Sequence, residues 1–162
     1  MSKEYQKKFQ PRVSVEEVEE GSSLSPKFNH DGLIPCVTSD SKTNEVLMVG
    51  YMNAEALTKT IENAEAYYYS RSRQKVWHKG STSGLVQTVK EIRIDDDQDS
   101  IWLSVEVGGT GASCHVGYKS CFYRSIPLKN KVSQNLELKW EEKEKLFDPV
   151  EVYGDAPNPT KL

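Results

Sequence analysis

The sequence predicts a single mixed α+β domain dominated by strands, and three observations carry that expectation. Ile101, Leu103, Val105 and Val107 alternate with polar or larger residues, the two-residue period of a strand with one buried face. Residues 45–52 form a mostly apolar run that comes after turn signals, which suits a buried strand. One segment carries helix signals: Asn53 is a good cap, and Ala56, Leu57, Thr60, Ile61 and Ala64 then fall on one helical face. At 162 residues, with 36% hydrophobic and 28% charged, the chain has the size and make-up of one ordinary globular domain.

Taken in order, residues 1–31 form a polar arm without sustained apolar period, expected to be flexible or packed at the periphery. The domain proper is expected over 32–126. Leu33-Ile34-Pro35-Cys36-Val37 opens it as a strand, and Asp40-Ser41-Lys42-Thr43-Asn44 reads as the turn into the strand at 45–52. After the helix, Tyr67-Tyr68-Tyr69 favours a strand, whereas residues 70–75 are too polar and basic for a core segment and read as a loop or rim. Strand signals return at 85–94 and 101–107, which places the acidic run between them at the turn of a hairpin. Residues 127–162 are a polar extension, in which 136–147 is open between a charged helix and an added strand, and 155–159 reads as a loose end.

A net charge of -3 without a basic stripe argues against nucleic acid as the main partner. No apolar run approaches the roughly 20 residues that cross a bilayer, so no membrane is expected. Three cysteines and a polar start, Met1-Ser2-Lys3-Glu4, point to reduced thiols and a cytoplasmic setting.

Two clusters carry the chemistry. In Asp95-Asp96-Asp97-Gln98-Asp99, alternation puts Asp95, Asp97 and Asp99 on one side, where three carboxylates repel unless a hard cation such as Mg2+ sits among them. The competing reading is a solvated acidic turn. Asp96 is expected to face the other way, continuing the apolar side of Ile92 and Ile94. Cys114 and Cys121 have six residues between them, wider than a structural zinc knuckle, and so read equally as small buried hydrophobes. His115, beside Cys114, has the chemistry of a proton shuttle near neutral pH, and Gly108-Gly109-Thr110-Gly111 ahead of it suits a close backbone approach or an ordinary loop.

Ordered segments between Gly32 and Arg124 resemble the phosphoribosyl-AMP cyclohydrolase family of histidine biosynthesis. They are Gly32-Leu33-Ile34-Pro35, Val46-Leu47-Met48 with Tyr51-Met52-Asn53, Tyr68-Tyr69-Ser70-Arg71-Ser72-Arg73, Trp77-His78-Lys79-Gly80 with Thr82-Ser83-Gly84, and Ser120-Cys121-Phe122-Tyr123-Arg124. The resemblance implies a compact, mostly β, α+β domain in an intertwined homodimer with a metal site shared between subunits. It also implies Mg2+ at Asp95, Asp97 and Asp99, and Zn2+ held by thiolates matching Cys114 and Cys121. Where the family motif has its first cysteine this chain has Asp96, and carboxylate oxygen can ligate zinc. Cys36 is the alternative third thiolate, although a small core residue in a buried strand explains it.

The reaction implied is hydrolytic opening of the adenine ring of phosphoribosyl-AMP between N1 and C6. His115 would act as its general acid or base. Arg71, Arg73, Lys79, Thr82 and Ser83 have the forks, charge and hydroxyls to grip the substrate phosphates, against surface solvation as the plainer reading. Trp77 is set between stacking on the purine and packing in the core, and His78 between ligand contact and structure. Two other functions stay open: a metal-dependent hydrolase for another purine nucleotide, and a zinc-stabilised binding module without catalysis.

Overall fold

The computed structural model describes residues 2–162. In chain order its elements are α1 (Ser2–Gln6), α2 (Val15–Glu20), β1 (Ile34–Asp40), β2 (Val46–Met52), α3 (Ala54–Asn63), β3 (Tyr67–Ser70), β4 (Lys75–His78), β5 (Gln87–Ile94), β6 (Ile101–Val107), β7 (Arg124–Ser125), β8 (Lys139–Trp140) and α4 (Pro149–Tyr153). Four strands make the central sheet, in the order β2-β1-β6-β5. It is two antiparallel hairpins, β1-β2 and β5-β6, joined where β1 and β6 run parallel.

Pairing register sorts the two faces. Met48, Thr38, Leu103 and Ile92 lie side by side across the sheet in one row, and this row faces the core. The neighbouring row, Val49, Val37, Trp102 and Arg93, shows on the opposite face, where Val49 is 52% exposed and Trp102 36%. A single residue step along a strand exchanges faces, so the alternation read in 101–107 is the physical origin of this sidedness. Ile34, Leu47, Met52, Leu57 and Tyr68 join Leu103 and Val105 in the core.

Asn53 caps α3 as predicted, its Oδ1 accepting from the Ala56 N–H at 2.8 Å, an interaction typically contributing about 1 kcal/mol. The buried face is corrected, however: Ala56, Leu57 and Thr60 are buried, but Ile61 is 46% exposed and Ala64 is exposed. The helix stops at Asn63, and Ala64 turns out through a left-handed conformation at φ 52°. Thr60 is drawn inward instead, donating to the Ala56 carbonyl and accepting from the Tyr67 N–H at 3.0 Å. The turned-out segment then ties to the edge strand β5, with Ala66 N–H donating to Gln87 O and Val89 N–H to Ala64 O.

The basic stretch after Tyr69 is the turn of the β3-β4 hairpin. The polar arm contains two short helices that its sequence period did not reveal. Ser14 caps α2, and one apolar residue, Val18, is buried from it. Of 136–147, only Lys139–Trp140 is a strand, paired with β7; the rest runs without regular structure before α4. Among the described residues no helix is long and apolar enough to cross a membrane.

Candidate active site

β5 ends at Ile94, and the chain then folds into a turn instead of extending the strand. Asp95 Oδ1 accepts from the N–H groups of Asp99 and Ser100, both at 2.9 Å, and Gln98 N–H donates to the Asp95 carbonyl. This folding-back brings one carboxylate oxygen from each of Asp95, Asp97 and Asp99 within 4.8 Å of one another. The triplet expected from spacing at the hairpin turn is therefore together, and the bend of the turn assembles it. Partial desolvation, then the charges of Asp99, Asp95 and Asp96, raise the Asp97 carboxyl above its ordinary value. Three converging anionic oxygens are the donor set of a hard divalent cation. Asp96 departs from expectation: it is exposed and does not continue the apolar side of Ile92 and Ile94, because the alternation ends with the strand.

The second cluster is built by a tight loop. Ser113 N–H donates to Lys119 O at 2.9 Å and Cys114 N–H to Tyr118 O at 3.2 Å, so the chain doubles back between its two cysteines. Cys121 N–H is anchored to Leu47 O on β2 at 2.7 Å. The two thiols influence each other's titration. Cys121 donates to Cys114, which drops to about 6, while the Cys121 thiol is pushed up by that hydrogen bond and by burial. Two neighbouring thiols, one of them biased toward thiolate, fit a soft or borderline metal. Asp96 does not join the pair within this chain: the acid triplet is the one cluster of three or more such ligands among the described residues.

His115 lies half-buried beside this pair, its Nε2 buried without a hydrogen-bond partner among the described residues. Burial, then the nearby charge of Lys79, lowers its pKa from the ordinary value, and the side chain of Asn158 acts in the opposite sense. Lys79 is not displayed as a phosphate grip. It is 7% exposed, and its Nζ donates to the Ser113 carbonyl at 2.7 Å. Burial lowers its pKa, partly offset by the charges of Cys121 and Cys114. An ammonium so placed stabilises the anionic sulfur.

The other expected contacts divide between surface and scaffold. Arg71 is exposed with its guanidinium 4.2 Å above the Tyr51 ring, and Arg73 is exposed and bonds Ser70 Oγ at 3.2 Å. Thr82 is exposed, and Ser83 Oγ accepts from the Leu85 N–H. Trp77 is half-buried against Tyr68, with Arg73 and Lys79 each 5.6 Å from its ring. His78 stacks on Tyr67 at 4.5 Å with Nε2 2.7 Å from the Glu65 carboxylate, although the two are not aligned as a hydrogen bond. Cys36 is fully buried, and burial pushes its thiol up to about 12, so it reads as core.

Several residues that shape the site carried no sequence signal. A buried chain of hydrogen bonds runs from Thr38 Oγ1 to Tyr68 OH at 2.7 Å, on to Gln87 Oε1 at 2.6 Å, and from Gln87 Nε2 to Ser113 Oγ at 3.4 Å, next to Cys114. Gly50 makes room for it, since a Cβ there would lie 2.9 Å from the Tyr68 ring. The C-terminal segment also closes over the thiol loop: Glu142 accepts from the Ser120 N–H at 3.2 Å, and Leu146 N–H donates to Gly117 O at 2.7 Å. Tyr118, Tyr123 and Trp140 stack beneath it. A glutamine in a strand and a glutamate in a polar tail look like surface residues until the fold brings them in.

The class these features define is a small mixed α/β domain whose carboxylate and thiol clusters sit on loops at the rim of one sheet. A family model described as phosphoribosyl-AMP cyclohydrolase matches residues 48–123. A phosphoribosyl-AMP cyclohydrolase of Rhodopseudomonas palustris (strain BisA53) is 54% identical over 141 residues, which are 87% of this chain and 94% of the relative. Those of Nitrobacter winogradskyi and Rhizobium leguminosarum bv. trifolii (strain WSM2304) are 49% and 48% identical, covering 86% and 90% of this chain and 94% and 95% of theirs. The chain belongs to the phosphoribosyl-AMP cyclohydrolase family.

Proposed function

We propose that this chain hydrolyses the bond between N1 and C6 of the adenine ring in phosphoribosyl-AMP, the ring-opening step of histidine biosynthesis. The observation that carries it is kinship over most of both chains: 54% identity over 87% of this chain and 94% of a relative named for the reaction. The phosphoribosyl group on N1 makes the ring electron-poor, so C6 accepts a nucleophile. Water adds to C6, the N1–C6 bond breaks, and the proton lost by the water is the one N1 requires. His115 is the group we assign to carry it, an imidazole that burial biases toward its neutral, proton-accepting form and whose Nε2 is buried without a hydrogen-bond partner among the described residues. Arg71 and Arg73 are exposed cations available to the phosphates, with Trp77 beside Arg73 as a stacking surface for the purine.

Zn2+ is the metal we assign to Cys114 and Cys121, completed by Asp96 of a second subunit, and Mg2+ the one we assign to Asp95, Asp97 and Asp99. When bound, zinc supplies Lewis acidity that makes water nucleophilic at neutral pH. Lys79 holds the thiol loop through Ser113 and balances its negative charge. A homodimer is supported by the outward row of Val49, Val37 and Trp102, an apolar strip on the sheet face away from the core. We place the enzyme in the cytoplasm, in keeping with its free thiols.

Steady-state assays of the purified protein with phosphoribosyl-AMP and with AMP test the assignment. Turnover of phosphoribosyl-AMP alone is the expected result, because AMP lacks the N1 substituent that activates C6. Inertness toward phosphoribosyl-AMP with turnover of another purine nucleotide would replace the substrate assigned here.

A further inference from the structure

We propose that Gln98 is a positioning residue for the Asp95, Asp97 and Asp99 cation site, holding the acidic turn in its ligating shape by fastening it to the N-terminal arm. The inference rests on reading those carboxylates as a Mg2+ site. Gln98 occupies the free position of the acidic motif, yet it is 5% exposed and every polar atom of its amide is used. Nε2 donates to the carbonyls of Val18 at 3.0 Å and Ser23 at 3.2 Å, and Oε1 accepts from the Ser25 N–H at 2.9 Å. Its backbone joins in, the carbonyl accepting from the Lys27 N–H at 2.7 Å.

Further ties run from the same arm segment to the neighbouring ligand. Arg12 Nη1 donates to Ser25 O and Nη2 to Asp97 O, each at 2.8 Å, and Lys27 Nζ lies 4.0 Å from Asp97 Oδ2. The arm therefore grips the turn at Gln98 and Asp97 at once, from outside residues 48–123 where the family match falls. A cleft of about 270 Å³ lined in part by Arg12, Val18, Glu19 and Asp97 leaves solvent access at this edge.

Backbone geometry at the same residue points the same way. Gln98 has φ 56°, a left-handed conformation that glycine or asparagine adopts more easily. A glutamine stays there only where its surroundings hold it, and here three side-chain hydrogen bonds do so. Three like charges drawn together would otherwise splay the turn. Fixing it in advance spares the cation that ordering cost, and partners of this kind behind metal ligands commonly govern affinity by 10-fold or more.

The test titrates the as-purified full chain with Mg2+ alone by calorimetry. The variants are Gln98→Gly, which keeps the turn's φ while removing the hook, Arg12→Gln, and Asp97→Asn. Mg2+ should bind roughly 10-fold more weakly to Gln98→Gly and several-fold more weakly to Arg12→Gln, with faster amide exchange over residues 14–27 in Gln98→Gly. If Asp97→Asn weakens Mg2+ while the other two match the parent, the arm is merely tied down and the positioning role is lost. If Asp97→Asn itself leaves Mg2+ binding unchanged, the cation reading fails, and the proposal with it. Should Gln98→Gly not fold, Arg12→Gln decides alone, parental affinity there overturning the proposal.

Discussion

Cys114 and Cys121 influence each other's titration, with the Cys114 thiol drawn down to about 6, the charge of Lys79 acts on both, and the Nε2 of His115 is buried without a hydrogen-bond partner among the described residues. If this pair ligates zinc, Cys114→Ala and Cys121→Ala each lose the metal and turnover, read by elemental analysis and initial rate; full metal content in either variant would remove zinc from the assignment. Asp96 is the informative residue, since it is exposed and forms no ligand cluster with the cysteines of its own chain among the described residues. Asp96→Cys should keep activity and tighten zinc, because thiolate suits the ion better, whereas Asp96→Ala should loosen it. Equal zinc retention in Asp96→Ala and the parent would leave Cys36 or water to complete the set. Tyr68→Phe removes the hydroxyl shared by Thr38 and Gln87 and strands two buried polar groups. A loss of about 1–3 kcal/mol in urea unfolding is expected, and parental stability would mean the chain of bonds is idle.

At the level of elements, the C-terminal segment is bound to the thiol loop by a position only glycine fills. Gly117 has φ 106°, and a Cβ there would come 2.4 Å from the Phe147 carbonyl oxygen. Gly117→Ala should push residues 145–147 off the loop and destabilise the protein by at least about 1–3 kcal/mol, visible as faster amide exchange in 139–153. Unchanged exchange would show that the segment does not depend on this contact. The features legible in the sequence were local ones. Alternation located β6 to the residue, and Asn53 marked the helix start, because burial on one face and capping act within a few residues. The acid triplet was legible because its place at a hairpin turn follows from the two flanking strands, and a bend there brings three spaced carboxylates together; only the outlook of Asp96, argued from continued alternation, differs. Gln98, Gln87 and Glu142 were missed for the opposite reason: their partners lie 73–80, 26 and 22 positions away, and nothing local records such a contact.

For the whole molecule, the sheet sets the acidic turn and the thiol loop on separate connections, and within one chain Asp96 stays apart from the cysteines. A site shared across a dimer predicts complementation. Mixed Asp96→Ala and Cys114→Ala chains form hybrids with one intact site of two, so random pairing should restore about a quarter of the parental rate. No recovery above the separate variants would confine the ligands to one subunit. The claim on which all else depends is ring opening by water at C6. The most direct measurement is the mass spectrum of the product formed from phosphoribosyl-AMP in heavy-oxygen water. Hydrolysis between N1 and C6 predicts a product heavier than substrate by one whole labelled water, with the label in the new carboxamide oxygen; a product that gained the labelled oxygen but released ammonia, as in hydrolytic deamination, or one cleaved at a phosphate would contradict it.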